Sequence, residues 1–176
     1  LSNLKNYRYD WVWDKVVGTG FLSVNKKPMY VTEQISVFYK KSPKDFPVMR
    51  NVEQKYKKPV DKGKATSEIY NANMDRELYV DDGKRYPLNL IRFNSKKGEV
   101  SHNKRVHPTQ KPVELLEYLI KTYSNENDLV LDFTMGSGSC GVACKNTNRS
   151  FIGIEKEKEY YDLAVERINN NQMRLI

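Results

Sequence analysis

The amino-acid sequence predicts an α/β fold with a parallel sheet in the C-terminal part of the chain. Two short apolar runs, residues 129–133 (LVLDF) and 151–155 (FIGIE), have the character of strands buried on both faces. A glycine-rich turn follows the first run, and helical patterns lie before, between and after the two runs. Because helix and strand alternate, we expect the two strands to lie parallel and to be joined by a helical crossover.

Three helices are predicted around these strands. The first begins at Pro112, since proline is favoured at the start of helices, and a small-residue helix covers about 139–146. The third, over residues 158–169, is amphipathic. The side chains expected to face the core are Leu115, Leu116, Leu119, Ile120 and Tyr123 in the first helix and Tyr161, Leu163, Ala164 and Ile168 in the third.

The N-terminal part carries two further predicted strands. Residues 9–15 (YDWVWDK) are rich in aromatic and β-branched side chains, which favour strands. In residues 34–40 (QISVFYK) apolar side chains alternate with polar or less buried ones, the period of a half-buried strand. Gly-Thr-Gly at 18–20 is expected to interrupt the first of these strands.

The middle of the chain, residues 41–106, differs in both pattern and charge. Prolines, Lys-Lys pairs and Asp82-Gly83 indicate loops and turns, with residues 85–93 (RYPLNLIRF) as the only convincing strand. This region holds sixteen basic and nine acidic side chains, so it carries most of the chain's net charge of +8. Such an excess favours a polyanionic partner through counterion release. An ordinary solvated lysine-rich surface is the alternative.

Several classes of protein are disfavoured by the sequence. It has no run of 18 apolar residues, and its polar start is unlike a signal peptide, so we expect a soluble, cytoplasmic protein without a membrane partner. Cys140 and Cys144 are the only cysteines, four residues apart on one predicted helix. Without a second pair at metal-ligand spacing they favour buried thiols over a zinc site.

The predicted strand–turn–helix at 129–146 contains the pattern G-x-G-x-x-G, from Gly136 to Gly141. Glycines allow a sharp turn and a close approach to a ligand, and a helix N-terminus offers free N–H groups. Glu155 lies nineteen residues after Gly136, at the end of the next strand, where a carboxylate can accept hydrogen bonds from ribose hydroxyls. The pattern therefore favours a nucleoside cofactor over a purely structural turn.

The acid at the end of the first strand distinguishes between two cofactors. Asp132 precedes the glycines, and its charge would repel the pyrophosphate of NAD. A ligand with an ammonium or sulfonium group would instead be attracted, and S-adenosylmethionine carries both. The sequence thus favours S-adenosylmethionine, while the glycine pattern alone keeps an NAD-dependent oxidoreductase as an alternative.

Two motifs resemble those of DNA N6-adenine and N4-cytosine amino-methyltransferases. Residues 132–139 (DFTMGSGS) are similar to the cofactor motif of that family, and residues 107–112 (HPTQKP) resemble the element upstream of it in the circularly permuted β group. Residues 151–160 (FIGIEKEKEY) match the following strand with its ribose-binding acid. The similarity extends over nearly the whole chain, although 41–106 matches only in character. Phage and bacterial orphan adenine methylases, and the methylases of restriction-modification systems, are of this type.

The resemblance implies a Rossmann-like, S-adenosylmethionine-dependent methyltransferase sheet, partial and circularly permuted. Residues 1–40 and 107–176 would form an incomplete α/β core, and 41–106 an inserted, loop-rich target-recognition region. No catalytic residue is assigned. The residues implied to bind the cofactor are Asp132, Phe133, Gly136, Gly138, Glu155, Thr109 and Lys111. In this scheme Glu155 binds the ribose, and Thr109 and Lys111 hold the carboxylate of the cofactor.

Double-stranded DNA is the implied partner. The candidate DNA contacts are Arg50, Arg76, Lys84, Arg85 and Arg92. In the family a methyl group passes to the exocyclic amine of a base flipped out of the duplex. Closeness to the orphan adenine methylases favours adenine N6 over cytosine N4.

One family motif has no counterpart in this sequence. The amino-methyltransferases carry [D/N/S]-P-P-[Y/F/W], which binds the target amine and stacks on the flipped base, but no Pro-Pro pair occurs among these 176 residues. We therefore expect a truncated enzyme or one half of a split enzyme, which turns over poorly without the missing segment or a complementary chain. The alternative is a non-catalytic remnant that binds DNA and cofactor.

Overall fold

The computed structural model describes residues 3–41, 52–53, 84–85, 87–95 and 109–170. The chain divides into two compact units, Leu1–Pro47 with Leu88–Ile176 and, separately, Val48–Pro87. In the second unit the short strands β3 (Val52–Glu53) and β4 (Lys84–Arg85) pair in antiparallel fashion. The elements that follow all belong to the first unit.

A three-stranded sheet is built around a long N-terminal strand. β1 (Tyr7–Thr19) pairs with β2 (Tyr30–Phe38) in antiparallel fashion and with β5 (Leu90–Arg92) in parallel fashion, which gives the order β2-β1-β5. Trp11 and Trp13 alternate along β1 and bury their rings on the same face. Their burial fixes the face of the strand that points into the core.

The predicted parallel strands form a second sheet. β6 (Leu129–Asp132) and β7 (Ser150–Gly153) pair in parallel, with Asp132 opposite Gly153. The crossover between them is helix α2 (Ser139–Asn146), whose small residues Gly141, Ala143 and Cys144 are buried. The predicted strand–turn–helix–strand order is confirmed, but the prediction that both strands are buried on both faces is wrong. Leu129, Leu131 and Ile152 are 62%, 58% and 48% exposed, so the described elements leave one face of this sheet uncovered.

Helix α1 (Val113–Tyr123) contributes to two clusters of the core. Leu115 packs with Trp11, Trp13 and Ile91 of the first sheet, whereas Ile120 packs with buried residues of α2. At its C-terminal end the hydroxyl of Tyr123 accepts a hydrogen bond from the Trp11 indole. The helix thus joins the strands of the N-terminal part to the β6–α2–β7 segment.

Helix α3 (Lys158–Asn170) packs through its smallest residue. Ala164 is fully buried, which allows close approach to α2, but Tyr161 is 46% exposed, so the prediction that Tyr161 faces the core is wrong. Tyr161 lies three positions before Ala164, at the edge of the narrow contact that the alanine makes. Among the described residues, no helix is long and apolar enough to cross a membrane.

The structure differs from the sequence prediction at several boundaries. β2 begins at Tyr30 and ends at Phe38, where residues 34–40 were expected. β1 continues through Gly18 and Thr19, where an interruption was expected. β5 lies inside residues 41–106, the range predicted as the recognition region, yet it pairs with β1. The two compact units likewise divide after residue 47 and after residue 87, and not at 41 and 106. Residues 88–95 thereby belong with the core, and a recognition role for the remaining middle segment stays a prediction.

Candidate cofactor-binding site

The glycine loop connects β6 to α2 in a conformation that needs glycine. Gly136 has φ of 50° and Gly138 has φ of 76°, both in the left-handed region. A Cβ atom on Gly138 would lie 2.8 Å from the Cβ of Ala164, closer than non-bonded carbons approach. Gly138 therefore allows both the turn and the packing of α3 against the start of α2.

Asp132 lies at the carboxyl end of β6, directly before this loop. Its Oδ1 accepts a hydrogen bond from the Thr134 amide at 3.0 Å, and its backbone carbonyl accepts one from the Ile154 amide at 2.9 Å. The side chain of the neighbouring Phe133 is 71% exposed. A fixed carboxylate beside an accessible aromatic ring suits a cationic ligand with a planar group.

Glu155 connects the end of β7 to the loop after β6. Its Oε2 accepts a hydrogen bond from the Gly136 amide at 2.9 Å, and its Oε1 accepts from the amides of Lys156 and Glu157 at 2.8 and 3.0 Å. The carboxylate is thus held in place by backbone donors from two segments. Its position beside the glycine loop is the one predicted for a ribose-binding acid.

Ser139 supplies a further polar group at this loop. Its Oγ atom is buried and has no hydrogen-bond partner among the described residues. Buried hydroxyls are nearly always hydrogen-bonded in native proteins, so the atom indicates a partner that the described residues do not provide. Together with Asp132, Phe133 and Glu155, Ser139 fits a polar nucleoside cofactor at the N-terminus of α2.

Lys111 has a protein partner that the sequence did not predict. Its Nζ lies 2.7 Å from Oε2 of Glu33, while Lys15 Nζ lies 3.4 Å from the other oxygen of Glu33. Burial raises the pKa of Glu33, but the hydrogen bonds and charges of Lys111 and Lys15 outweigh it, and the pKa is lowered overall. A ligand carboxylate at Lys111 would have to share the ammonium group with Glu33, so this predicted role stays a prediction.

Thr109 precedes this pair on the same segment and is exposed. The structure therefore brings Asp132, Phe133, Gly136, Gly138 and Glu155 together around one loop, whereas Lys111 pairs with Glu33 of β2. Glu33 itself was missed because its contact depends on the register of β2, in which it lies opposite Trp13. Alternation of apolar residues gives the face of a strand but not its register.

Of the candidate DNA contacts, the structure describes the side chain of Arg92 alone. Arg50 and Arg76 lie outside the described residues, and Lys84 and Arg85 are described only as the backbone of β4. Arg92 is exposed, and its Nε donates to Oδ2 of Asp14 at 2.8 Å. The backbone amide of Val16 and the Arg92 guanidinium lower the pKa of Asp14. The charge of Arg92 is therefore partly compensated.

Comparison with known proteins places this chain in a family. A family model for DNA methylases, the N6/N4 methyltransferases, matches residues 3–166. Type II methyltransferase M2.LlaDCHI of Lactococcus lactis subsp. cremoris is 41% identical over 106 residues, which cover 60% of this chain and 38% of that protein. Type II methyltransferase M.HpaI of Haemophilus parainfluenzae is 50% identical over 68 residues, which cover 39% of this chain and 22% of that protein. The chain spans well under two thirds of the length of these relatives.

Solved structures show the same fold. The M1.HpyAVI–SAM complex is 32% identical with a TM-score of 0.59, and the match covers 93% of this chain and 62% of that one. The PvuII cytosine-N4-specific DNA methyltransferase, at 19% identity and a TM-score of 0.61, matches 93% of this chain and 52% of its own length, and supports the fold alone. Since the family model matches nearly the whole sequence, this chain belongs to the DNA methylase family of N6-adenine and N4-cytosine methyltransferases.

Proposed function

We propose that the chain provides the cofactor-binding part of a DNA methyltransferase that uses S-adenosylmethionine. The observation that carries the proposal is the bridge from Glu155 to the Gly136 amide beside Asp132. This bridge holds Glu155, which follows β7, against the loop after β6, where Asp132 ends the strand and Gly136 and Gly138 adopt the left-handed backbone that glycine favours. Two acids around a close-approach loop suit a ligand with ribose hydroxyls and positive charge, and they disfavour a pyrophosphate.

Each residue of the site has a distinct part in this proposal. Asp132 attracts the cationic end of the ligand, Phe133 covers its planar group, and Glu155 accepts hydrogen bonds from the ribose. Ser139 contributes a buried hydroxyl that has no partner among the described residues. The cofactor supplies the methyl group; the protein binds it and orients it toward an incoming amine, which accounts for much of the rate enhancement when two reactants are held together.

The substrate in this proposal is the exocyclic amine of a flipped base in double-stranded DNA, with adenine N6 favoured over cytosine N4. The excess positive charge of the middle segment supports a DNA partner. The segment with the D-P-P-Y motif, on a longer or a complementary chain, would complete the catalytic site. A cytoplasmic location, where such an enzyme meets bacterial DNA, belongs to the same proposal.

Calorimetric titration tests the cofactor. We expect the chain to bind S-adenosylmethionine and not NAD, with Asp132→Asn weakening the binding about tenfold, equivalent to one charge-assisted interaction of about 1.4 kcal/mol. The control is Asp162→Asn on the exposed face of α3, where the carboxylate pairs with Lys158. Tighter binding of NAD than of S-adenosylmethionine would contradict the proposal. An equal loss of affinity for S-adenosylmethionine in Asp132→Asn and Asp162→Asn would contradict it as well.

Transfer of labelled methyl groups to duplex DNA tests the reaction. We expect little transfer by the chain alone and substantial transfer once a polypeptide with the D-P-P-Y segment is added. Robust transfer by the chain alone would contradict the need for that segment. If the chain binds cofactor and DNA but transfers no methyl group, either alone or with the added polypeptide, a non-catalytic binding protein is favoured instead.

A further inference from the structure

The tip of the β1–β2 hairpin exposes large apolar side chains. A short 3-10 turn, Phe21–Ser23, connects the two strands, and its first two residues, Phe21 and Leu22, are 75% and 99% exposed. The nearby Val24 and Met29 are also exposed. Single exposed apolar residues are ordinary, but a group of them on a projecting turn is typical of a contact surface.

This apolar tip is flanked by positive charge. Residues 15–32 contain Lys15, Lys26 and Lys27 and no acidic residue. The Nζ of Lys27 lies 5.1 Å from the centre of the Tyr30 ring, which leaves the ammonium at the surface of the hairpin. An apolar end with cations behind it matches a partner with an apolar interior and an anionic exterior.

The backbone below the tip is irregular in a defined way. The pairing of β1 with β2 shifts between Asp14 and Thr19, because four residues of β1, 15–18, lie opposite the single residue Val31 of β2. Within this bulge Val16 has φ of 66°, a conformation that costs energy for a β-branched residue, and its amide donates to Oδ1 of Asp14 at 2.8 Å. Bulges redirect the strand that follows them, and they recur next to functional sites.

The middle of the hairpin, where Glu33 lies opposite Trp13, is attached to a segment that is predicted to bind the cofactor. Glu33 of β2 pairs with Lys111, two residues after Thr109. From Lys15, which pairs with the same glutamate, the strand continues through Thr19 and carries the tip on the order of 10 Å further. The tip therefore projects from the neighbourhood of predicted ligand-binding residues.

We propose that Phe21 and Leu22 form an apolar wedge that inserts between base pairs of a DNA duplex, while Lys26 and Lys27 contact the flanking phosphates. The inference rests on the proposed function, in which DNA is the substrate. Apolar side chains that enter a base step unstack it and kink the duplex. A base that leaves the stack for chemistry creates a gap, and an inserted side chain stabilises the opened duplex.

Binding to duplexes that differ at one position tests the wedge. One duplex is fully paired, and the other has a single abasic site that opens the stack. We expect the chain to bind the abasic duplex about tenfold more tightly, in line with one stacking contact. The double variant Phe21→Ala, Leu22→Ala should reduce this preference to less than about twofold. The double variant Leu4→Ala, Leu88→Ala removes two similarly exposed side chains and should retain it.

The salt dependence of DNA binding tests the contacts of Lys26 and Lys27 with phosphates separately. In the double variant Lys26→Gln, Lys27→Gln the slope of log affinity against log salt should fall by about 1.8, the value for two lost phosphate contacts, with the abasic preference unchanged. Circular dichroism checks that every variant is folded.

Three outcomes would overturn the wedge. If Phe21→Ala, Leu22→Ala keeps the abasic preference, the wedge is wrong while a DNA substrate stands. If the wild-type chain binds neither duplex, the wedge and the DNA part of the proposed function both fail. If the variant alters only the self-association measured by sedimentation, the tip is a contact between copies of the chain.

Discussion

Gly138 and Gly20 share a left-handed backbone but differ in their surroundings. A Cβ at Gly138 would collide with Ala164, whereas nothing lies within 4 Å of a Cβ at Gly20. We expect Gly20→Ala to lower the free energy of unfolding by about 1–2 kcal/mol through backbone strain alone. Gly138→Ala should cost more, because the same strain is joined by displacement of α3 from α2. Urea unfolding measures both, and equal losses would show that the contact with Ala164 is unimportant.

The ion pairs of Glu33 predict a pH dependence. Since the pKa of Glu33 is lowered in the folded state, the glutamate stabilises the protein above its unfolded pKa, about 4.3. This contribution disappears as the pH falls through the lower, folded value. We expect Glu33→Gln to destabilise the protein at pH 7 by at most about 1 kcal/mol, because the pair is partly exposed to solvent.

Urea midpoints measured from pH 7 to pH 3 check this expectation. The difference between wild type and Glu33→Gln should shrink as the solution is acidified. Glu126→Gln, at an exposed turn before β6, is the control and should differ little from wild type throughout. A Glu33→Gln difference that does not change with pH would show that the lost contribution is not ionic.

At the scale of elements, α1 is the helix on which the first unit depends. Leu115 is 2% exposed and packs with both tryptophans of β1, so Leu115→Ala should lower the free energy of unfolding by about 2–5 kcal/mol. The matched control is Leu129→Ala in β6, where the side chain is 62% exposed and the loss should stay below about 1 kcal/mol. Thermal or urea denaturation compares the two variants. Similar losses of unfolding free energy in both would contradict the role of α1.

The sequence predicted those elements whose local pattern is unambiguous. The bounds of α2, the two parallel strands and the third helix agree with the structure to within a residue or two, because apolar periodicity and glycines report directly on local conformation. The pairing of β5 with β1 was not predictable in this way. It joins residues about 80 positions apart, and its three residues carry no pattern that identifies a neighbour.

The same distinction holds within the candidate site. The proximity of Glu155 to Gly136 was predictable, since the carboxyl ends of adjacent parallel strands meet at one edge of a sheet. The partner of Lys111 was not, because it depends on strand register and on how a hairpin packs against the start of α1. Sequence thus predicts contacts set by local topology better than contacts between distant segments.

For the whole molecule, the net charge of +8 predicts a strong dependence of DNA binding on salt. If about six phosphates are neutralised, raising the salt from 50 to 200 mM should weaken the affinity roughly a thousandfold. Fluorescence anisotropy with a labelled duplex measures the slope. A duplex with uncharged methylphosphonate linkages is the control and should bind weakly at both salt concentrations. A shallow slope on ordinary DNA would show that the basic residues do not contact phosphates.

The ion pair between Lys111 and Glu33 has a thermodynamic consequence for the whole molecule. It connects the segment before α1 with the hairpin, so a ligand carboxylate that draws Lys111 away leaves Glu33 to Lys15 alone. The electrostatic field along the hairpin then changes. Binding free energies are reciprocal: if such a ligand alters the affinity of the hairpin for a polyanion by some factor, the polyanion alters the affinity for the ligand by the same factor. One glutamate on an outer strand would thereby couple two binding equilibria.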